Sequence, residues 1–326
     1  MILFRTLKTS LPLVPAQKRC ASYSFPVGVT PKHLICFKFW TSEMIMEILN
    51  SAITLKSYYP NTHRQRLNLL TKAKVTILQE VNKPFLSMAV SKAATFLGAS
   101  DVHVVDNIVW DQDYAGRVFA LMSDVIFVST STHMHVQRFA EQSTVPVLCM
   151  HSRTHSSIQS LATVMAIFEE FGTMKNMQVG YIGPPHQVLN SYLLLCPMLG
   201  ANLIYKCSCD LQPITPLLYK ISEDLCEKTN TKMVVTTKNA EVIRGSQVII
   251  AGPTTKKKEK LHHFKIKYMD LEKAKNPWIF FHCCPRGPEI EDSLWNHNQA
   301  RTYNAFDNFQ YIAAALMTNV ILGYNF

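Results

Sequence analysis

Short runs of β-branched and apolar residues alternate along this chain with segments whose apolar positions recur every three or four residues. In the first half the candidate strands are 74-KVTILQEV-81, 102-VHVVD-106, 124-DVIFVST-130 and 145-VPVLCM-150, with helix-period segments over 87–98, 113–123 and 133–143. In the second half the strands are 177-MQVGYIG-183, 202-NLIYKCS-208, 232-KMVVTT-237, 246-SQVIIAG-252 and 277-PWIFFHC-283, with helices over 186–199, 213–229 and 239–244. The strands are near-continuously apolar rather than alternating, as expected of strands covered on both faces of a parallel sheet. Two such sets predict an α/β fold with two doubly wound parallel-sheet domains. The segment 156-SSIQSLATVMAIFEEFG-172 reads as one long helix ending at a glycine cap, placed between the two sets. A last helix over 307–322 has apolar residues at i, i+3, i+4 spacing and must pack on the body of the protein.

Composition leaves this picture intact. A chain of 326 residues with 48% hydrophobic and 17% charged residues can bury a core in each of two domains. No window of 18 uninterrupted apolar residues occurs, so no membrane span is expected. The net charge of +10 is uneven: no acid precedes Glu43, whereas Arg5, Lys8, Lys18, Arg19, Lys32 and Lys38 do. Residues 1–24 are basic, hydroxylated, apolar and free of acid, the composition of a mitochondrial transit peptide cleaved between about Arg19 and Ser24. The run 256-KKKEK-260 reads as a solvated loop, and no basic stripe interleaved with aromatics supports nucleic-acid binding. Nine cysteines in no paired spacing fit free thiols better than disulfides, and neither Cys207/Cys209 nor Cys283/Cys284 has the spacing of a metal site. No metal and no cofactor are expected.

Open α/β sheets bind ligands outside the carboxyl ends of their strands. Here those ends are Gln79–Ser87, Ser129–His133, His151–Gln159, Gly183–Gln187, Gly252–Thr255 and His282–Arg286. In 280-FFHCCPRGPEIED-292 the adjacent Cys283 and Cys284 can be nucleophiles, metal ligands or packing residues at a buried strand end. His186, in a ligand-facing turn, is a candidate base.

The order of these motifs resembles the ornithine carbamoyltransferase family, within the aspartate/ornithine carbamoyltransferase superfamily, from about Phe37 to Ile321. His282-Cys283-Cys284-Pro285-Arg286 is similar to that family's His-Cys-Leu-Pro-Arg motif. The stretches 287–292, 159–183 and 229–250 fit it in order and spacing. The resemblance implies a carbamoyl-phosphate domain over 34–155, completed by the terminal helix 307–322, an ornithine domain over 172–300, two linking helices and a homotrimer. It implies carbamoyl transfer from carbamoyl phosphate to L-ornithine, giving citrulline and phosphate in the mitochondrial matrix. By position, Cys283 takes the place of the active-site cysteine. Lys83, Ser87, Arg117, Gln159, His282 and Cys284 fall where carbamoyl phosphate is held, and Gln187 faces the amino acid.

The resemblance also marks departures. The phosphate loop Ser-Thr-Arg-Thr-Arg aligns with Lys83-Pro84-Phe85-Leu86-Ser87. The His-Pro of His-Pro-x-Gln aligns with Ser156 and Ser157, with His155 one residue early and facing elsewhere. The Asp-x-x-x-Ser-Met-Gly loop begins at Gly252, and a late arginine aligns with Phe309. A hydrogen bond to a charged group contributes about 1.5–3 kcal/mol, so losing three costs roughly 5–9 kcal/mol. Two readings stand: an active carbamoyltransferase, or a catalytically silent relative that acts through binding or assembly.

Overall fold

The computed structural model describes residues 33–58, 66–108, 110, 112–207, 216–254 and 263–323. The expected transit peptide and the 256–260 loop lie outside these residues. Strands β1 (Lys74–Gln79), β2 (Asp101–Asp106), β3 (Val125–Ser129) and β4 (Val147–His151) form one parallel sheet, ordered β2-β1-β3-β4. Strands β5 (Gln178–Ile182), β6 (Asn202–Lys206), β7 (Met233–Val235), β8 (Val248–Ala251) and β9 (Ile279–His282) form a second, ordered β7-β6-β5-β8-β9. Every ladder in both is parallel, so all carboxyl ends of a sheet lie on one side. Strands β1, β3, β4, β8 and β9 are buried almost throughout, whereas the edge strands β2 and β7 are half-open to solvent. The opposite edge strands β4 and β9 are covered, and each carries a further bridge, from Leu34 to Leu148 and from Ala300 to Phe280; the apolar pattern of 102–106 and 232–237 did not reveal that β2 and β7 are left open.

Helices α2 (Pro84–Leu97), α3 (Ala115–Met122), α4 (His133–Gln142), α6 (Gln187–Met198), α7 (Pro216–Thr229) and α8 (Asn239–Ile243) alternate with the strands as expected. Helix α2 starts three residues before the predicted 87, because Pro84 at its first position lacks only an N–H the helix does not use. It ends at Gly98, whose φ of 82° closes the helix with a left-handed cap. Helix α1 (Ser42–Tyr58) was not anticipated, although Ile45, Ile48, Leu49, Ala52 and Leu55 repeat at helical spacing and are buried. The Thr41 hydroxyl accepts the Met44 N–H at 3.3 Å and caps its start. A short helix α9 (Asp292–Trp295) follows β9.

Two long helices tie the sheets together. Helix α5 (Ser157–Phe171) is buried along ten of its residues, and α10 (Thr302–Leu322) begins five residues before the predicted 307. They pack against each other; α5 also meets β4 and α6, and α10 meets β3 and β9. A polar tie crosses their outer ends. Lys56 of α1 donates to Glu169 of α5 at 2.8 Å and to the Asn308 amide oxygen of α10 at 2.7 Å, and Asn308 donates to Glu169 at 2.9 Å. Of the described cysteines, six are free thiols, but Cys207 is disulfide-bonded, contrary to the expectation of free thiols throughout. No described helix is long and apolar enough to cross a membrane. The Ile312 side chain of α10 is fully enclosed in the main hydrophobic core. Replacing Ile312 with Ala should cost about 2–5 kcal/mol, read as a lowered denaturation midpoint at unchanged slope.

Candidate functional site

The carboxyl ends of the two sheets face a cavity of about 270 Å³. The start of α2 supplies Lys83, Pro84, Phe85 and Leu86; the β4–α5 connection supplies His151, Ser156 and Gln159. The start of α6 gives His186 and Gln187, the turn after β9 gives Cys283, Cys284 and Pro285, and α10 gives Phe306 and Phe309. Eleven residues singled out from sequence are thus brought together: Lys83, Pro84, Phe85, Leu86, Ser156, Gln159, His186, Gln187, Cys283, Cys284 and Phe309.

Four others are not in the wall. Arg117 is exposed on α3. Ala115, Gly116 and Ala120 form the buried face of that helix, and a methyl group on Gly116 would collide with the Phe139 carbonyl of α4. The helix is therefore pinned by its small residues, and Arg117 falls on the outer side. Ser87 is buried, its hydroxyl bonded to the Gln79 side chain. Gly252 lies against the Tyr181 ring, whose hydroxyl donates to the Pro184 carbonyl at 2.7 Å. His282 is the fourth. Its Nδ1 accepts the Cys284 N–H at 2.9 Å, so Nε2 carries the proton and donates to Glu289 at 2.7 Å. Both ring nitrogens are used within the fold, which leaves neither for a ligand. His282 is a positioning residue.

Glu289, Gln79 and His151 carry roles that sequence reasoning missed. The Glu289 carboxylate accepts from His282, from the Thr254 hydroxyl and from the Gly287 N–H at 2.8 Å. Despite burial, which acts in the opposite sense, these bonds hold it down to about 2. The pattern His-x-x-x-x-x-x-Glu carries no periodic signal, since the turn after β9 folds the carboxylate back on the ring. Gln79, at the end of β1, accepts the Lys83 N–H at 3.2 Å and donates to Asp106 at 2.9 Å, fixing the entry to α2. His151 donates from Nδ1 to the Ser152 carbonyl at 3.1 Å.

The electrostatics of the wall follow from burial. Burial first, then the Lys83 charge, brings the pKa of both His151 and His186 down to about 3, so both imidazoles are neutral at physiological pH. His186 also spends Nδ1 on the Val188 N–H, as the cap of α6. Lys83 is the one lysine or arginine among the lining residues, and burial lowers its own pKa. Arg286 is turned away: its guanidinium donates to the Ile290 carbonyl and to Asp292 and stacks over the Trp295 ring. Where the resemblance places the late arginine, Phe309 packs on Phe306 at 5.1 Å, and Phe306 meets Phe85 edge-on at 5.8 Å. Gln159 donates to the Cys283 carbonyl at 2.8 Å and accepts from Ser156 at 3.3 Å.

Burial raises the Cys283 thiol far above the ordinary thiol range. Cys284 is pushed up to about 11 by burial and by Glu289, with Arg286 opposing. Neither is a ready nucleophile, and both sit in the turn after β9 that lines the cavity. Among the described residues, the cavity's own thiols and imidazoles do not cluster as a metal-ligand trio; the ligand atoms of Cys36, His133 and His155, outside it, lie within 4.8 Å of one another.

Residues 175–320 match the family model described as aspartate/ornithine carbamoyltransferase, Asp/Orn binding domain. The chain is similar to the anabolic ornithine carbamoyltransferase of Pyrococcus furiosus, 25% identical over 92% of this chain and 99% of that protein. It is similar to the mitochondrial ornithine transcarbamylase of Gallus gallus, 23% identical over 71% of this chain and 68% of that one. The solved structure of the Pyrococcus furiosus ornithine carbamoyltransferase superposes with a TM-score of 0.83 at 21% identity, covering 92% of this chain and all of that one.

Two outcomes test the site's chemistry. Alkylation of Cys284 in the folded chain should climb about tenfold per pH unit through pH 8–10 without levelling, and Cys283 should stay slower at every pH; mass spectrometry of labelled peptides reads both. Because the folded Glu289 pKa lies below its ordinary 4.5, its stabilisation is complete above about pH 4.5 and fades as pH falls toward 2. Glu289→Gln should therefore be less stable by about 2–4 kcal/mol at pH 7, and the gap should close in acid. Denaturation at a series of pH values checks this.

Proposed function

Because the chain belongs to the aspartate/ornithine carbamoyltransferase family, we propose that it is a relative of ornithine carbamoyltransferase whose cleft binds a small molecule but no longer transfers a carbamoyl group from carbamoyl phosphate. The observation that carries this reading is the charge of the cavity wall. A phosphate dianion calls for several charge-assisted donors, ideally forked guanidinium groups. This wall offers one partly desolvated ammonium, Lys83, two neutral imidazoles and three phenyl rings. Such a lining favours an uncharged or zwitterionic ligand held by Gln159, Gln187 and apolar contact. On this reading the protein enters the mitochondrial matrix through residues 1–24 and assembles as a homotrimer. A carbamoyl-phosphate-type domain over 34–155, closed by the terminal helix, packs with an ornithine-type domain over 172–300.

A specific observation favours a second reading. Lys83, Gln159, Gln187, Cys283 and Cys284 share one cavity. They would supply a reduced carbamoyl-phosphate and amino-acid site, with Cys283 beside the reacting carbonyl, for slow transfer to ornithine or another amine.

Calorimetric titration of the purified chain with carbamoyl phosphate separates the two. Two or more missing charge-assisted contacts predict binding about a thousandfold weaker than an arginine-lined phosphate site provides. Micromolar binding would establish the second reading.

A further inference from the structure

Outside the cavity, three metal-ligating side chains meet from distant parts of the chain. Cys36 precedes a tight turn at Phe37–Phe39, His133 opens α4, and His155 lies in the turn from β4 to α5. One ligand atom of each lies within 4.8 Å of the other two. The imidazole rings meet edge-on with centroids 5.3 Å apart. Each ring has one nitrogen set against a serine hydroxyl: His133 Nδ1 at 3.3 Å from Ser152 and His155 Nδ1 at 3.4 Å from Ser191. Hydroxyl or carbonyl partners of this kind are what orient ligating histidines and leave the second nitrogen to the metal. His155 is only 2% exposed, and an imidazole buried without full hydrogen bonding costs stability unless something else satisfies it.

We propose that Cys36, His133 and His155 form a zinc-binding site. A thiolate with two imidazoles suits a borderline-soft ion that accepts tetrahedral geometry, rather than magnesium or calcium, which take oxygen ligands. Zinc–nitrogen and zinc–sulfur bonds of about 2.0–2.3 Å set donors roughly 3.3–3.8 Å apart, so the trio closes on the ion with about 1 Å of side-chain movement. Three protein ligands leave the fourth position to water. Binding replaces the Cys36 S–H bond by a sulfur–zinc bond and releases that proton to solvent.

The site would fasten three segments. The strip at Leu34 runs beside β4, where the Leu34 N–H donates to Val147 at 3.0 Å and the Cys149 N–H donates to Leu34 at 2.7 Å. The Ser152 N–H donates to the His155 carbonyl at 2.8 Å, and the His155 N–H donates to the Ser152 hydroxyl at 3.0 Å. The next residue, Ser156, is in the cavity wall, so the ion would brace that wall from behind. Motif spacing does not reveal such a site, since Cys36 lies about a hundred positions from either histidine.

The test uses the full chain purified without a polyhistidine tag, stripped with chelator, equilibrated with zinc chloride and desalted. Elemental analysis should return one zinc per chain, and cobalt(II) in its place should give a thiolate-to-cobalt charge-transfer band. His155 is buried and its replacement risks unfolding, so the variants are the half-buried Cys36→Ser and His133→Gln, checked for folding by circular dichroism. Each should lower zinc affinity at least tenfold, and Cys36→Ser should abolish the charge-transfer band, while Cys283→Ser should keep both zinc and band. Less than stoichiometric zinc in the unaltered chain, or a band that persists in Cys36→Ser, overturns the proposal.

Discussion

The Gln159 amide on the Cys283 carbonyl, at 2.8 Å, is the contact on which the site depends. It joins the first turn of α5 to the end of β9, so it sets where the helix between the sheets meets the strand that floors the cavity. The turn beyond it is fixed from the other side by Glu289, which gathers His282, Thr254 and Gly287 around one carboxylate. A buried carboxylate is stable only when its lone pairs are filled, and here they are. The arrangement commits both ring nitrogens of His282 to structure. Gln159 spends one amide hydrogen on Cys283 and keeps the other for a ligand in the cavity.

Electrostatics follow from the same enclosure. With Lys83 partly desolvated and His151 and His186 held neutral, the wall carries about one positive charge at physiological pH. Arg286 belongs to its own surface cluster with Asp292 and Trp295, and Arg117 to the outside of α3. Phe85, Phe306 and Phe309 pack together and give the cavity wall an apolar, uncharged stretch. The fold of a carbamoyltransferase and the charge of a phosphate site are separable properties, and this chain keeps the first while the second is reduced.

Much of the architecture was legible because parallel-sheet strands announce themselves as apolar runs. All nine strands among the described residues lie within two or three residues of the segments named from sequence. The misses have physical causes. Helix α1 was passed over although its apolar spacing was present, and α2 and α10 start early because Pro84 and Thr302 are acceptable first residues of a helix. Eleven of the candidate site residues converge because strand-end position is a strong guide in open α/β sheets. Arg117, Ser87 and His282 were placed by motif alignment, which carries no information on which way a side chain turns. Gln79 and His151 were named only as strand ends, and Glu289 only within its motif, because their partners are set by tertiary contact rather than by spacing.

The most direct measurement is steady-state citrulline formation by the purified chain without its first 24 residues, supplied with carbamoyl phosphate and ornithine at concentrations well above those that saturate an arginine-lined site. The account predicts no citrulline above the enzyme-free background, even when Lys83, the one cation in the wall, is intact. Sustained multiple-turnover citrulline production that disappears in Lys83→Met would contradict it, and would mean that a single buried ammonium suffices where several guanidinium groups were thought necessary.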